Sequence, residues 1–414
     1  MSQYCASLGI DLNIFVLARR GMRSFTEATS IAQIFVERPG VREEHMARNI
    51  VICCDGTSNQ PARDMTNVAK LYFSLENDVA RQISFYHPGL GTMEAPGALT
   101  GAQKVTTVLM GLAFGRGIED DIRDAYVFLS DFYEPGDRVF LFGFSRGAYT
   151  VRALTGLIRM YGLLQPGNAP LAPYAIRMMF AINRARGCND KETADEVFKL
   201  AYRFRDAYGR ECKPHFVGLW DTVSSVGWFS HPTHLPYTAN NPDIEIGRHA
   251  VAIDERRAFF PCNLWRPEAG GKSGPRDLKQ VWFPGSHCDV GGGYPEGPQS
   301  AQSKYPLDWM MNEASTKGLL LDSLRRDDVL GKAPGSSYQV ASVDYPLAES
   351  LTGLWTPAEF LPKPHYDYET DRTAWKMHLF ARRVIPPGSR VHQSAYARGE
   401  KYMRRIPPDA VVEP

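Results

Sequence analysis

The chain has 414 residues, and its 47 basic and 46 acidic side chains give a formal net charge of +1. This balance lacks the basic excess that is typical of nucleic-acid-binding proteins, so we expect no nucleic-acid partner. Hydrophobic residues make up 43% and charged residues 22% of the chain, which is the composition of a globular protein with a sizeable core.

The seven cysteines are irregularly spaced and form no CxxC pair. We therefore predict neither a zinc site nor a disulfide framework, and we expect no metal or organic cofactor. A reducing, cytoplasmic compartment suits this cysteine usage, and export without a cleavable signal is compatible with it. No apolar run reaches the length of about 18 residues that a membrane-spanning helix needs.

Residues 1–47 differ from the rest of the chain, because regular patterns begin only after Met46. Asp11 interrupts the first apolar stretch, so this segment does not have the pattern of a secretory signal. We expect residues 1–47 to be a disordered extension or the product of a misplaced start codon, with a functional arm or targeting segment as the alternative.

Five nearly continuous apolar runs, each ending in a turn with Gly or Asp, predict strands that are buried on both faces. They cover residues 50–55, 83–89, 138–145, 215–221 and 279–285. Helical patterns separate these runs, most clearly over residues 118–133, where apolar residues share one face. The alternation predicts an α/β fold with a mostly parallel central sheet flanked by helices.

The run VFLFGFSRGAY at residues 139–149 ends a predicted strand in the pattern Gly-x-Ser-x-Gly. Gly143 and Gly147 are the small residues that a nucleophile elbow needs, because the strand must reverse sharply into a helix. Residues 148–161 follow with helical spacing, and a helix N-terminus favours developing negative charge. We predict that Ser145 is a nucleophile rather than a structural turn serine.

A serine nucleophile needs a base and an acid, which follow it along the chain as acid and then histidine in one large class of hydrolases. Asp221 ends a later predicted strand and is the candidate acid, with a helix cap or turn acid as the alternative. His287 lies in a Gly-rich loop after the next predicted strand and is the candidate base. Asp289 is an alternative acid or a support for the histidine.

The oxyanion hole needs two backbone N–H groups, and that of Arg146, which follows the nucleophile, is the first. The second is expected from the loop of Gly56, Thr57 and Ser58, and the alternative is a tight structural turn that Asp55 holds through hydrogen bonds. The same stretch resembles the Asp-x-Asp-Gly-Thr start of aspartate-nucleophile phosphatases. A cysteine replaces their nucleophilic aspartate here, so we disfavour that alternative.

Residues 165–212 are polar and Arg-rich, and they predict a helical insertion after the nucleophile's helix, either a lid or a plain helical decoration. Residues 228–275 are rich in Pro, Gly, Asn and His, and they predict loops around a cleft. We expect the last hundred residues or so, with a helix near residues 306–321, to complete the same domain.

The sequence resembles a bacterial family of α/β-hydrolases that includes the catalytic domain of type VI secretion phospholipase effectors. The matching stretches are VICCDGTSNQ, FYHPGLGT, VFLFGFSRGAYTVRAL, HFVGLWDTVSSVG and VWFPGSHCDVGGGYPEG. The resemblance implies Ser145 as nucleophile, Asp221 as acid and His287 as base, in agreement with the order argued above. It also implies an acyl ester or phospholipid substrate, peripheral membrane contact and, for an effector, an immunity or secretion partner.

We therefore predict that residues 48–414 form one α/β-hydrolase catalytic domain. It is expected to act as a serine esterase of the lipase or phospholipase kind, through an acyl-enzyme intermediate. The alternative is a catalytically silent module of the same fold, used for binding or associated with a toxin, and the phosphatase is the less favoured third reading.

Overall fold

The computed structural model describes residues 47–56, 65–89, 117–187, 190–223, 227–228, 231–232, 235–258, 260–266, 274–351, 356–367 and 372–414. The expectations for residues 1–46, and for Thr57 and Ser58, lie outside the described residues. The segment Ala47–Pro414 is one compact unit.

The central sheet of the described chain has eight strands, and every neighbouring pair in it is parallel. Its strands are β1 Asn49–Cys54, β2 Gln82–His87, β3 Arg138–Phe144, β6 Phe216–Trp220, β9 Ile246–Ala252, β10 Asp277–Phe283, β13 Arg390–His392 and β14 Val411–Glu413. Across the sheet they follow the order β14-β13-β10-β9-β6-β3-β1-β2. Within the described ranges, three strand pairs lie outside this sheet, namely β4 Leu163–Leu164 with β5 Gly209–Arg210, β7 Gly227–Trp228 with β8 His231–Pro232, and β11 Lys363–Asp367 with β12 Arg372–Lys376.

Helices flank the sheet on both faces. In chain order they are α1 Asn67–Phe73, α2 Ile118–Phe132, α3 Arg146–Tyr161, α4 Ala172–Gly187, α5 Lys191–Tyr208, α6 His287–Gly291, α7 Lys304–Thr316, α8 Ser323–Val329, α9 Thr356–Glu359, α10 Gln393–Tyr396 and α11 Glu400–Met403, with 3-10 turns at Ala169–Leu171 and Pro298–Ser303. None of the helices in the described ranges is both long and apolar enough to cross a membrane.

The core divides into layers because alternate residues of a strand point to opposite faces of the sheet. Ile50 and Ile52 of β1 pack with α2 and α3 on one face. Val51 and Cys53 pack with α1 and α7 on the other face. This two-sided cover of a parallel sheet confirms the predicted α/β class, and all five predicted strands are present with small shifts at their ends.

Strand β9 corrects the prediction that residues 228–275 are only loops around a cleft. It lies between β6 and β10, near the middle of the sheet. The polar residues of β9 do not match the apolar pattern of a buried strand, so the sequence did not predict it. Arg248 is nevertheless buried, because it pairs with Asp277 and Glu313. His249 is also buried, and its Nε2 accepts a hydrogen bond from the Thr222 N–H at 3.2 Å. The short strands β13 and β14 were missed as well.

The insertion predicted over residues 165–212 folds as the helices α4 and α5, which pack against each other and against α3. Met179 and Ile182 of α4 belong to the same buried cluster as α2 and α3. This close packing onto the body favours a plain helical decoration over a lid.

The chain order of the sheet reverses beside β1, which lies between β2 and β3. In a parallel sheet, such a reversal opens a crevice at the carboxyl ends of the strands, where ligands bind. Asp55 follows β1, Ser145 follows β3, Asp221 follows β6, and His287 lies shortly after β10. The fold therefore brings the predicted site residues to one edge of the sheet.

Candidate active site

Ser145 occupies a sharp turn between β3 and α3, with φ 57° and ψ −120°. A positive φ is strained for a residue with a side chain, and such strain is characteristic of functional turns. The Ser145 N–H donates to the Trp220 carbonyl oxygen at 3.1 Å, which ties the turn to the end of β6. This is the geometry of the predicted elbow.

The glycines on either side of Ser145 allow close backbone packing. A Cβ on Gly143 would lie 2.5 Å from the Gly147 carbonyl oxygen. A Cβ on Gly147 would lie 2.1 Å from the carbonyl oxygen of Cys54, at the end of β1. Larger residues at either position would therefore push α3 away from the sheet and distort the turn.

His287 is the first residue of α6, and its Nδ1 lies 2.6 Å from Oδ2 of Asp221, the residue directly after β6. Both side chains are buried. Because a carboxylate only accepts hydrogen bonds, Nδ1 carries the proton and Nε2 carries the lone pair. Nε2 is buried and has no hydrogen-bond partner in the part of the chain that the structure describes, so it is available as a base.

The imidazole ring of His287 packs against the residue that precedes the serine. Its centroid lies 4.6 Å from that of Phe144 and 4.9 Å from that of Phe260. A Cβ on Gly291 would lie 1.9 Å from the Phe144 ring, so α6 also approaches the elbow closely. These contacts place the candidate base next to the turn that carries Ser145.

Charges and burial set the protonation of the Asp221–His287 pair. Burial alone raises the pKa of the Asp221 carboxyl, but Arg383 and His287 lower it by more than burial raises it, so the net pKa is below its usual range. Burial lowers the pKa of His287, while the hydrogen bond to Asp221 acts in the opposite direction. Near neutral pH the imidazole is therefore neutral beside an ionised carboxylate, as a general base requires.

Arg383 is a site residue that the sequence did not reveal. Its Nη1 lies 2.6 Å from Asp221 Oδ1, and its Nη2 lies 3.2 Å from Asp221 Oδ2. The residue stands in an irregular segment without a motif, 162 positions after its partner. No local pattern signals such a contact, so only the folded chain brings the two residues together.

Glu255, after β9, was missed together with that strand. Its Oε2 accepts the His287 N–H at 3.1 Å, and its Oε1 accepts the Arg257 Nε–H at 2.9 Å. Burial raises the pKa of Glu255, but Arg257 lowers it more, to about 2. The ionised Glu255 therefore fixes the backbone at the start of α6.

Asp289 supports the turn before α6. Its Oδ2 accepts the N–H of Ser286 at 2.8 Å and the N–H of Ala348 at 3.2 Å. Burial raises the pKa of Asp289 to about 6. These contacts suit the predicted supporting role, whereas Asp221 occupies the position of the acid beside the imidazole.

Asp55 shapes the turn after β1. Its Oδ1 accepts the Gly56 N–H at 2.6 Å, and its Oδ2 accepts the hydroxyls of Thr66 and Tyr86 at 2.6 and 2.7 Å. A Cβ on Gly56 would lie 3.3 Å from the Ser145 Cβ, so this loop begins beside the serine.

Arg146 and Cys53 complete the predicted set. Arg146 is the first residue of α3, and burial lowers the pKa of its guanidinium to about 10. Cys53 stands where a phosphatase would have its nucleophile, and it is buried in the core on the face of the sheet that α1 and α7 cover. No carboxylate is present at that position.

Several known proteins are similar to this chain. The uncharacterized protein YEL023C of Saccharomyces cerevisiae is 35% identical over 228 residues, which cover 53% of this chain and 33% of the yeast protein. The chain thus spans about a third of that relative's length. A crystal structure of an uncharacterized protein from Pseudomonas aeruginosa aligns with 71% of this chain and 48% of its own, with 20% identity and a TM-score of 0.45.

The structure of the Tle1 effector bound to the VgrG spike of the type 6 secretion system aligns with 63% of this chain and 56% of that chain, with 18% identity and a TM-score of 0.32. The sequence model of the family described as the type VI secretion phospholipase effector Tle1-like catalytic domain matches residues 48–313, which is more than half of the chain. Because the match covers more than half of the chain, the chain belongs to the Tle1-like family of phospholipase effector catalytic domains, as its motifs predicted.

Proposed function

We propose that this protein is a serine hydrolase that cleaves an ester bond of a phospholipid or a similar acyl lipid. One observation carries the proposal, namely that the strained Ser145 turn lies beside a buried His287 whose Nδ1 is 2.6 Å from Asp221. Family membership supports a lipase or phospholipase type of reaction.

In the proposed mechanism, Ser145 Oγ attacks the acyl carbonyl carbon while His287 Nε2 takes the hydroxyl proton. Asp221 orients the imidazole and stabilises its charged form. The bond from the acyl carbon to the leaving oxygen then breaks, and Nε2 gives its proton to the departing alcohol. Water attacks the acyl-serine with the same base, which releases the acid and restores Ser145.

The oxyanion would be held at the N-terminus of α3. The backbone N–H of Arg146 is one donor, and the loop that begins at Gly56 would supply the second. Thr57 and Ser58 stay the predicted source of that second N–H. In hydrolases of this type, one oxyanion donor contributes a factor of about 10² to 10³ in kcat.

A lipid substrate agrees with the surface next to the site. Arg383 links the segment formed by residues 360–367 and 372–384 to Asp221, and the Phe380 N–H donates to Glu359. Clustered exposed apolar side chains mark contact surfaces, and we propose that a lipid surface contacts this segment. Its exposed large apolar residues are Phe360, Leu361, Trp375, Met377, Leu379 and Val384.

The domain assignment is part of the same proposal. Residues 48–414 act as one catalytic domain, because two features beyond the family match belong to the same structure. Arg383 contacts Asp221, and β13 is a strand of the central sheet. Association with secretion machinery or an immunity protein is proposed on the family description alone.

The test is labelling of the purified protein by a fluorophosphonate probe, which reacts with activated serine nucleophiles. The parent and the Ser342→Ala variant should label, since Ser342 lies in a loop and, in the described chain, hydrogen-bonds to Asp344 rather than to a site residue. The Ser145→Ala and His287→Ala variants should not label. A parent that stays unlabelled, also with phospholipid vesicles present, would overturn the proposal in favour of a catalytically silent binding module.

A further inference from the structure

The carboxylate of Asp221 is shared between two cationic or cation-forming groups. Oδ2 meets Nδ1 of His287 at 2.6 Å and Nη2 of Arg383 at 3.2 Å. Oδ1 meets Nη1 of Arg383 at 2.6 Å and accepts the Ala252 N–H at 3.0 Å. Both oxygens are thus fully engaged, and the guanidinium fork fixes the plane of the carboxylate.

Arg383 is itself held independently of Asp221. Its Nη1 donates to the Ala252 carbonyl oxygen at 3.0 Å, and its Nη2 donates to the Phe260 carbonyl oxygen at 2.8 Å. Ala252 ends β9, and the Phe260 ring contacts His287. The Arg383 guanidinium is therefore held in a fixed position by the backbone next to the Asp221–His287 pair, unlike a mobile surface charge.

We propose that Arg383 is a positioning residue that keeps Asp221 ionised and aimed at His287, and that its charge sets the pH at which His287 gains a proton. This proposal rests on the proposed function, and it assigns a role to a residue outside the family match of residues 48–313. In the described chain, the side chain that Arg383 hydrogen-bonds is that of Asp221, so we assign it a role through Asp221.

The physical reason is the charge count in a buried site. When His287 takes the proton from Ser145, the imidazolium and the Asp221 carboxylate would form a neutral pair. The added guanidinium gives this group of three side chains a net positive charge, which disfavours the imidazolium in the resting enzyme. Removing the guanidinium should therefore make His287 easier to protonate and Asp221 harder to ionise.

Other charged and titratable groups face this pair, and the Arg383 substitutions leave their identities unchanged. Glu255 and Arg257, which follow β9, form an ion pair beside the His287 backbone. His249 on β9 interacts electrostatically with Asp221, and burial lowers the pKa of its imidazole to about 3, so it is neutral. Cys288 lies on α6, and burial raises the pKa of its thiol to about 12.

The test compares Arg383→Met, which removes the charge at similar volume, with Arg383→Lys, which keeps the charge without the fork. Arg382→Met is the matched control, because Arg382 is the neighbouring arginine and is exposed. The readout is the pH profile of kcat/KM for a soluble p-nitrophenyl ester. We expect the acid limb of Arg383→Met to move to higher pH by about 1 unit, and that of Arg383→Lys to stay near the parent limb.

A histidine NMR titration measures the same proton on His287 without turnover, with the signal assigned by its loss in His287→Gln. An upward shift in folded Arg383→Met supports the proposal, even if the ester assay fails. If the His287 titration and the acid limb of kcat/KM are both unchanged in Arg383→Met, the proposal is overturned, even if that variant is slower than the parent. An equal shift in Arg383→Lys would also overturn it, because the charge would then not be the cause.

Discussion

Gly147 and Cys54 approach each other so closely that a Cβ on Gly147 would lie 2.1 Å from the Cys54 carbonyl oxygen. The obstacle is backbone at the end of β1, which cannot move aside as a flexible side chain does. The N-terminus of α3, and with it the Ser145 turn, therefore depends on a residue without a side chain at position 147.

We expect Gly147→Ala to lower the free energy of unfolding by about 2 kcal/mol, because it forces α3 away from the sheet. It should also abolish labelling of Ser145 by the fluorophosphonate probe. Urea unfolding measures the first effect. Gly335→Ala is the control, since Gly335 has φ 76° but open space around it, and it should cost only about 1 kcal/mol without loss of labelling.

Asp221→Asn preserves the size of the side chain but removes its charge. The amide no longer fixes the tautomer of His287, so we expect the labelling rate to fall by a factor of about 10⁴. The variant also leaves Arg383 buried without a counter-charge, which should lower the free energy of unfolding by about 3 kcal/mol. Labelling kinetics and urea unfolding together check both effects, and a fully active variant would exclude Asp221 as the acid.

The pH dependence of labelling follows from the buried imidazole. His287 acts as a base only when it is neutral, and burial lowers its pKa. We therefore expect the acid limb of the labelling rate to have its midpoint below about 6.5, the ordinary value for histidine. Rates measured from pH 4 to pH 8 check this sign, and a midpoint above the ordinary value would contradict a desolvated base.

The apolar segment beside the site should affect lipid substrates selectively. Replacing both Trp375 and Leu379 by serine removes two exposed apolar side chains. We expect weaker binding to phospholipid vesicles and slower hydrolysis of vesicle lipid, with unchanged hydrolysis of a soluble ester. Leu324→Ser is the control, because Leu324 is an exposed leucine on α8. Equal losses of vesicle binding and vesicle-lipid hydrolysis in this control would contradict the proposal that the segment with Trp375 and Leu379 contacts lipid.

The sequence predicted the part of the site that is built from neighbouring residues. A buried strand, the glycines at 143 and 147 and the helix after Ser145 follow one another directly, so their pattern is readable without the fold. The order of acid and histidine after strand ends was enough to choose Asp221 and His287. The oxyanion loop was predicted from Gly56 onward, although Thr57 and Ser58 lie outside the described residues.

Strand β9 could not be predicted, because Arg248 and His249 resemble loop residues until their partners are known. Arg248 is buried only because Asp277 and Glu313 neutralise it, and Glu313 lies 65 positions away. Glu255 was lost with this strand, since its role at His287 depends on where β9 ends.

The sequence by itself determined the α/β alternation, the serine turn and the identity of the residues at the ends of the strands, because apolar runs and turn residues act over short distances. Only the tertiary structure decided which charges meet. Arg383 and Asp221 are 162 residues apart in the chain, and they form an ion pair because the folded chain places them side by side. Long-range electrostatics depends on distance in space, and that distance is not encoded in any local pattern.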